Sequence, residues 1–188
     1  WTIDKFNRIC RVITDYVASG SFADLNKNVN YKDSEDYAML IRTTDLSNKN
    51  KNSSPVYVDQ SSYKFLKNSN LFGGEIILPN IGASIGDVYM VPKMYEKMTL
   101  GPNAILLKTK YSDKYYFYLF STQNYRKALI EMGESSAQSK FNKTDFRQLK
   151  GVIPPLEEQE EIVKFLDCEL KKIDEHISLK TLKIVEIK

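Results

Sequence analysis

Val163, Leu170, Ile177 and Ile184 recur every seven residues near the end of the chain, and Leu166, Ile173, Lys180 and Ile187 form a second seven-residue series offset from the first by three. Seven of the eight positions are apolar, which is the a/d seam of a coiled coil. Pro154-Pro155 stands ahead of this stretch, where proline helps a helix begin. Glu157, Glu158, Glu160 and Glu161 follow, placed where a helix N-terminus favours negative charge. The pattern predicts one continuous helix of about 33 residues, on the order of 50 Å long at 1.5 Å per residue. A domain of this size needs no such helix for its own core, so it must lie against something of its own length. The alternative is a surface helix packed on its own domain, but a narrow stripe suits a partner helix better than a broad globular face. Lys180 in the seam either specifies register or partner, or extends its charged end to solvent.

The 188 residues fit one domain, residues 1–153, followed by a spacer and dimerisation helix, residues 154–188. With 42% hydrophobic and 27% charged residues a sizeable core is expected rather than disorder. Cys10 and Cys168 lie far apart without metal-ligand spacing and read as reduced thiols of a cytoplasmic protein. No apolar run approaches the ~18 residues needed to cross a bilayer, and no signal peptide is visible, so no membrane partner is expected. Charge is unevenly divided. Residues 1–155 carry 21 Lys and Arg against 15 Asp and Glu, a net +6, whereas residues 156–188 carry 6 against 9, a net −3. A basic globular part on an acidic stalk suggests that the first meets a polyanion and the second meets protein. Within the globular part, residues 108–150 hold 9 basic against 4 acidic side chains, although lysines also serve simply to solvate a surface.

Along the chain, Ile3, Phe6, Ile9, Cys10 and Ile13 fit a short amphipathic helix. Residues 18–22 form a small, flexible turn, and residues 23–36 are polar and aperiodic, hence loop. Tyr37–Leu46 reads as a buried strand emerging into a polar end, and 47–54 as a surface loop closed by Pro55. Ser61 or Ser62 caps a short helix through Leu66, followed by Gly73-Gly74 and a strand over 75–78. Gly82–Gly86 is a tight turn feeding a strand over 87–91, ended by Pro92, with another strand over 103–108. Asp113 caps a helix through Met132, its tyrosines serving the core. A polar loop over 133–141, a turn at 143–149 and a short strand through Ile153 lead to the long helix. The fold class is therefore α+β, a twisted sheet with short helices followed by the long one.

The search for catalysis comes out negative. Gly82–Gly86 lacks the spacing and the lysine of a phosphate-binding loop, and no dinucleotide fingerprint accompanies it. Ile153-Pro154-Pro155-Leu156 superficially resembles the Asn/Asp-Pro-Pro-aromatic loop of amino-methyltransferases, but aliphatics replace both the hydrogen-bonding and the stacking residue. His176 lies on the long helix outside the seam with nothing near it to suggest a triad. The acidic residues form no convincing Mg²⁺ cluster with a catalytic lysine, which argues against a stand-alone nuclease. No catalytic residue, metal or cofactor is expected.

Leu149–Ile153 with Pro154-Pro155-Leu156-Glu157-Glu158-Gln159-Glu160-Glu161-Ile162-Val163 strongly resembles the C-terminal part of a type I restriction–modification specificity subunit, where a target-recognition domain ends in a proline pair and enters a long helix. Three further stretches resemble the same family: Ile41-Arg42-Thr43-Thr44-Asp45-Leu46; Gly74–Leu78 with Gly82–Gly86; and Ser136-Ala137-Gln138-Ser139-Lys140 followed by Phe146 and Leu149. The likeness spans nearly the whole sequence. The family's usual subunit has two such domains and two helices, and this sequence has one of each. It is either half of a longer subunit or a half-length one that pairs with a copy of itself.

The resemblance implies that two recognition domains, held apart by antiparallel helices, each read half of a bipartite double-stranded DNA site. The helices would dock methyltransferase subunits and, through them, the restriction subunit. Basic groups would contact phosphates and loop side chains would read base edges. The candidate readers are Ser21, Arg42, Thr43, Thr44, Asn80, Ser84, Gln138, Ser139, Lys140 and Lys143. Turn hydrogen bonding is the competing role for Thr43, Ser84 and Ser139, and a salt bridge to Asp45 competes for Arg42. Lys140 is expected to act on all sequences and Gln138 on one base pair. The reading from another class is a non-enzymatic adaptor that dimerises through the coiled coil and scaffolds protein partners, its basic face incidental.

Overall fold

The computed structural model describes residues 1–47, 53–134 and 139–186, with side chains described through Thr181. Its strands are β1 (Thr2–Lys5), β2 (Cys10–Asp15), β3 (Tyr31–Lys32), β4 (Ala38–Ile41), β5 (Val56–Val58), β6 (Asn70–Leu71), β7 (Ile76–Pro79), β8 (Tyr89–Met90), β9 (Met98–Leu100), β10 (Ala104–Thr109) and β11 (Lys150–Ile153). Its α-helices are α1 (Phe6–Ile9), α2 (Phe22–Asn28), α3 (Thr43–Leu46), α4 (Gln60–Phe65), α5 (Asp113–Ser121), α6 (Gln123–Glu134), α7 (Lys143–Gln148) and α8 (Leu156–Glu186).

The central strands carry unbroken apolar runs, Ala104–Leu107, Ile76–Leu78 and Ala38–Ile41, as strands covered on both faces should. Alternation sends their side chains to opposite sides. In β10, Ile105 and Leu107 join Phe6, Ile9, Tyr116, Phe120, Phe141 and Phe146 in one core, while Ala104 and Leu106 join Ile41, Leu71, Met98 and Leu100 in a second. In β4, Met39 and Ile41 enter that second core, while Ala38 and Leu40 meet Leu25, Val58 and Leu66 in a third. Two sheets therefore face each other across the middle core. One has the order β2-β10-β7-β8 and the other β3-β5-β4-β9-β6. Strands of the first pair antiparallel, and β4 runs parallel to β9 in the second. Helices cover the outer faces, giving a mixed α and β architecture.

Several sequence expectations change. The N-terminal stretch is not a helix: β1 pairs with β11, with Thr2 opposite Ile153, α1 is a single turn, and β2 pairs with β10. The β-branched run Val12-Ile13-Thr14 suits a strand, and its partners lie some ninety residues away, outside any local window. The expected loop at 23–36 contains α2, begun by a capping box in which the Ser21 hydroxyl accepts from the Asp24 amide and Asp24 accepts from the Ser21 amide. Tyr37–Leu46 ends its strand at Ile41 and turns into α3. Asp59, not Ser61 or Ser62, caps α4, and Ser112, not Asp113, caps α5. The expected single helix over 113–132 breaks at Thr122, whose hydroxyl bonds the Leu119 carbonyl at 2.8 Å. Strand β9 had no local signal, since Met98-Thr99-Leu100 is too short a run to show a period. Residues 48–52 of the expected surface loop lie outside the described residues.

The long helix forms as expected, over 31 residues, about 46 Å at the standard rise. Its first turns are fastened to the domain. Gln159 is fully buried, donates to the Pro154 carbonyl at 2.8 Å and accepts from the Ser112 amide at 3.3 Å. Ile162 and Val163 pack on the first core. Asp167 takes Lys114 at 2.6 Å and the Tyr118 hydroxyl; burial first, and this bond second, push that phenol up to about 12. Further along, the seam leaves the domain, with Leu170 43%, Ile173 52% and Ile177 57% exposed. Among the described residues no helix is long and apolar enough to cross a membrane.

Candidate nucleic-acid interface

The ends of β2, β10 and β7 meet at one edge of the four-stranded sheet, because Ile105 lies opposite Asp15 and Ala104 opposite Pro79. The chain leaving β7 at Asn80, the turn Pro102-Asn103 entering β10 and the segment after Asp15 therefore converge. Residues 140–144 close the fourth side. Together they line an open groove of about 380 Å³ whose walls include Asp15, Tyr16, Phe22, Asn80, Lys140 and Lys143.

Main-chain bonds fix the walls. Gly82 N–H donates to the Ser139 carbonyl at 2.9 Å, Phe141 N–H to Asn80 at 3.1 Å and Asn80 N–H to Asn103 at 3.2 Å. Ile81 and Lys140 form an antiparallel bridge. The Asn80 side-chain amide adds a bond to the Phe141 carbonyl at 2.9 Å. Asn103 has a left-handed backbone, φ 67°, a conformation asparagine tolerates better than most residues. Phe141 is buried beneath the groove, so its neighbours Lys140 and Asn142 are held outward. Asn142 caps α7, accepting from Thr144 and Asp145 at 2.7 and 3.0 Å.

Electrostatically the groove combines Lys140 and Lys143 with one acid, Asp15, which binds Lys143 at 2.7 Å. The Tyr16 hydroxyl shares a 2.8 Å bond with Tyr31; burial, then that bond, raises its pKa, so the wall carries a neutral phenol. Donors, acceptors, cationic ends and an exposed aromatic occur side by side. That mixture suits base edges and phosphates.

The structure brings Asn80, Lys140 and Lys143 together and places Ser21 and Ser139 beside them in sequence with groove residues. The Ser21 hydroxyl donates to Asp24 at 2.6 Å as part of its cap, and Ser139 is exposed. The Ser84 carbonyl accepts from Asp87 N–H at 3.0 Å in the turn over 82–84. Arg42 goes elsewhere: its guanidinium holds Asp45 through Nε at 3.0 Å and Nη2 at 2.6 Å and reaches the Ser54 carbonyl at 2.8 Å. The salt bridge named as its rival role is formed. Thr43 and Thr44 lie on α3, away from the groove lining, with Thr44 exposed. Gln138 lies outside the described residues.

Of the helix seam, Val163 packs on the domain, Leu166 is half-buried, and Leu170, Ile173, Ile177 and Lys180 are exposed. The Ile184 side chain and Ile187 lie outside what is described. The sequence reading missed Asp15, Phe22, Asn103, Asn142 and Thr144 as groove residues. Two signals were available, the capping pairs Ser21…Asp24 and Asn142…Asp145, each marking a helix start. Among the described residues no three His, Cys, Asp or Glu side chains converge as a metal site.

A family model described as "Type I restriction modification DNA specificity domain" matches residues 18–188. Three solved structures are similar. One is described as "Structural basis underlying complex assembly and conformational transition of the type I R-M system" (TM-score 0.64, 14% identity, covering 93% of this chain and 39% of that one). The second is the HsdS subunit from Thermoanaerobacter tengcongensis (TM-score 0.63, 15% identity, 93% and 38%). The third is the type I restriction-modification S subunit from M. genitalium (TM-score 0.52, 14% identity, 96% and 42%). The chain thus spans about two fifths of the length of these structures. A comparison with curated proteins gives no match. At these identities the likeness to solved structures is one of fold.

Proposed function

Since this chain belongs to the type I restriction modification DNA specificity family, we propose that it reads double-stranded DNA at the groove between Asn80, Lys140 and Lys143, without catalysing a reaction itself. Recognition of DNA sequence is what the family match supports, and that match over residues 18–188 is the observation that carries the proposal. The groove supplies the chemistry: Lys140 meets phosphate, while the amides and hydroxyls of Asn80, Asn142 and Thr144 meet base edges.

The rest of the assembly follows as part of the same proposal. Residues 1–153 form the recognition domain and 154–188 the spacer. The exposed ridge of Leu170, Ile173 and Ile177 meets the equivalent helix of a second copy, or of the other half of a longer subunit, so that two heads read two half-sites. Methyltransferase subunits dock along the helix, and a restriction subunit through them, in a cytoplasmic complex. The exposed ridge supports the adaptor reading equally, so duplex binding decides between the two. A fluorescence titration of duplex DNA, with methyltransferase subunits present, should show affinity falling steeply with salt through counterion release. Undetectable or salt-insensitive binding would overturn the proposal.

A further inference from the structure

Phe22 opens α2 at the rim of the groove and is 74% exposed. Helical spacing places it on the side of Leu25, which is buried, so its exposure does not come from lying on a polar face. The core ends before it, and the capping box at Ser21 and Asp24 fixes the helix start from which the ring projects. Around it the groove presents Asn80, Asn103, Asn142 and Thr144 together with the Asp15–Lys143 pair. A carboxylate is misplaced in a groove meant only for phosphates, but it matches the cytosine amino group, a donor displayed in the major groove, as the lysine matches guanine acceptors. The same groove of the duplex displays one apolar group, the thymine C5-methyl.

Resting on the DNA-reading proposal above, we propose that Phe22 is a specificity-determining residue that packs on a thymine C5-methyl in the major groove of the bound duplex. The ring adds discrimination by apolar contact where its neighbours discriminate by hydrogen bonding.

The test starts by selecting a randomised duplex library on the full protein and on Phe22→Ala, with Phe22→Leu retaining apolar bulk. Thermal melts should coincide, since the ring is exposed. In the motif selected by the native protein, each thymine is then replaced by deoxyuridine, which lacks only the methyl group. One replacement should weaken native binding about fourfold, the worth of one buried methyl-sized group, weaken Phe22→Leu less, and leave Phe22→Ala unchanged. A motif without thymine, or a deoxyuridine loss of the same size in Phe22→Ala, overturns the assignment while DNA reading stands. Selection of no motif by the native protein overturns the DNA-reading proposal itself.

Discussion

Asp59 holds the start of α4 by accepting from the Ser62 amide at 2.8 Å, the Ser61 hydroxyl at 2.7 Å and the Asn30 side chain at 3.0 Å. The Ser62 bond foremost, then the side-chain donors, keep its carboxyl well below the usual range. A carboxylate favoured by folding contributes fully above its ordinary pKa and loses the contribution as pH falls through the depressed native value. Asp59→Ala should therefore lower stability by about 1 kcal/mol at neutral pH. In urea unfolding, that gap should persist down to about pH 4 and close below it. Gly151 illustrates a different constraint: a Cβ there would stand 2.7 Å from Phe6 and 2.9 Å from Ile9, both fully buried. Gly151→Ala should cost about 1–3 kcal/mol through overpacking, read in the same unfolding experiment. Neither residue was legible beforehand. Asp59 was passed over for the serines beside it, and nothing local marks Gly151 as lying against a ring 145 positions earlier. Arg42 was legible in its rival role, because Asp45 three residues on is close enough to bind it in any turn.

Among elements, α8 was readable almost to its ends because a seven-residue period is a local signal that survives any tertiary context. The strands β7 and β10 were readable for a related reason: three or four apolar residues in a row leave little choice but burial on both faces. The N-terminal stretch misled because Ile3, Phe6, Ile9 and Ile13 satisfy a helical spacing, yet Ile3 ends up 68% exposed on a strand whose partner is β11. Long-range pairing outweighed local period. The seam of α8 itself divides in two, Val163 packing on the domain and Leu170, Ile173 and Ile177 standing exposed. Val163→Ala, which thins contacts to the first core, should lower domain stability by about 1 kcal/mol. Ile173→Glu should leave the domain's melting unchanged and weaken helix pairing, measured by sedimentation equilibrium with the partner present. Equal melting losses in both would place the whole helix in the domain's own core.

For the whole molecule, the charge division between residues 1–155 and 156–188 was read from sequence, but the groove that brings Lys140 and Lys143 together was not. The groove depends on strand ends brought together by a sheet order, β2-β10-β7, that no window of sequence displays. Lys140 and Lys143 were named in advance; Asp15, which tempers Lys143, comes from a strand taken for a helix. If Lys140 meets phosphate, Lys140→Ala should weaken binding to all duplexes alike and reduce the slope of log affinity against log salt by about one. An unchanged slope would remove Lys140 from the phosphate contacts.

Apart from the Asn80 side-chain amide, the ties joining 80–82 to 139–141 run between main-chain atoms, and main-chain atoms are the same in every residue but proline. Side chains at 140 and 144 can therefore be exchanged while the frame that aims them persists, whereas Asn142 is tied to the cap of α7. A protein built in this way can acquire a new vocabulary by point substitution, without first having to refold into a new shape.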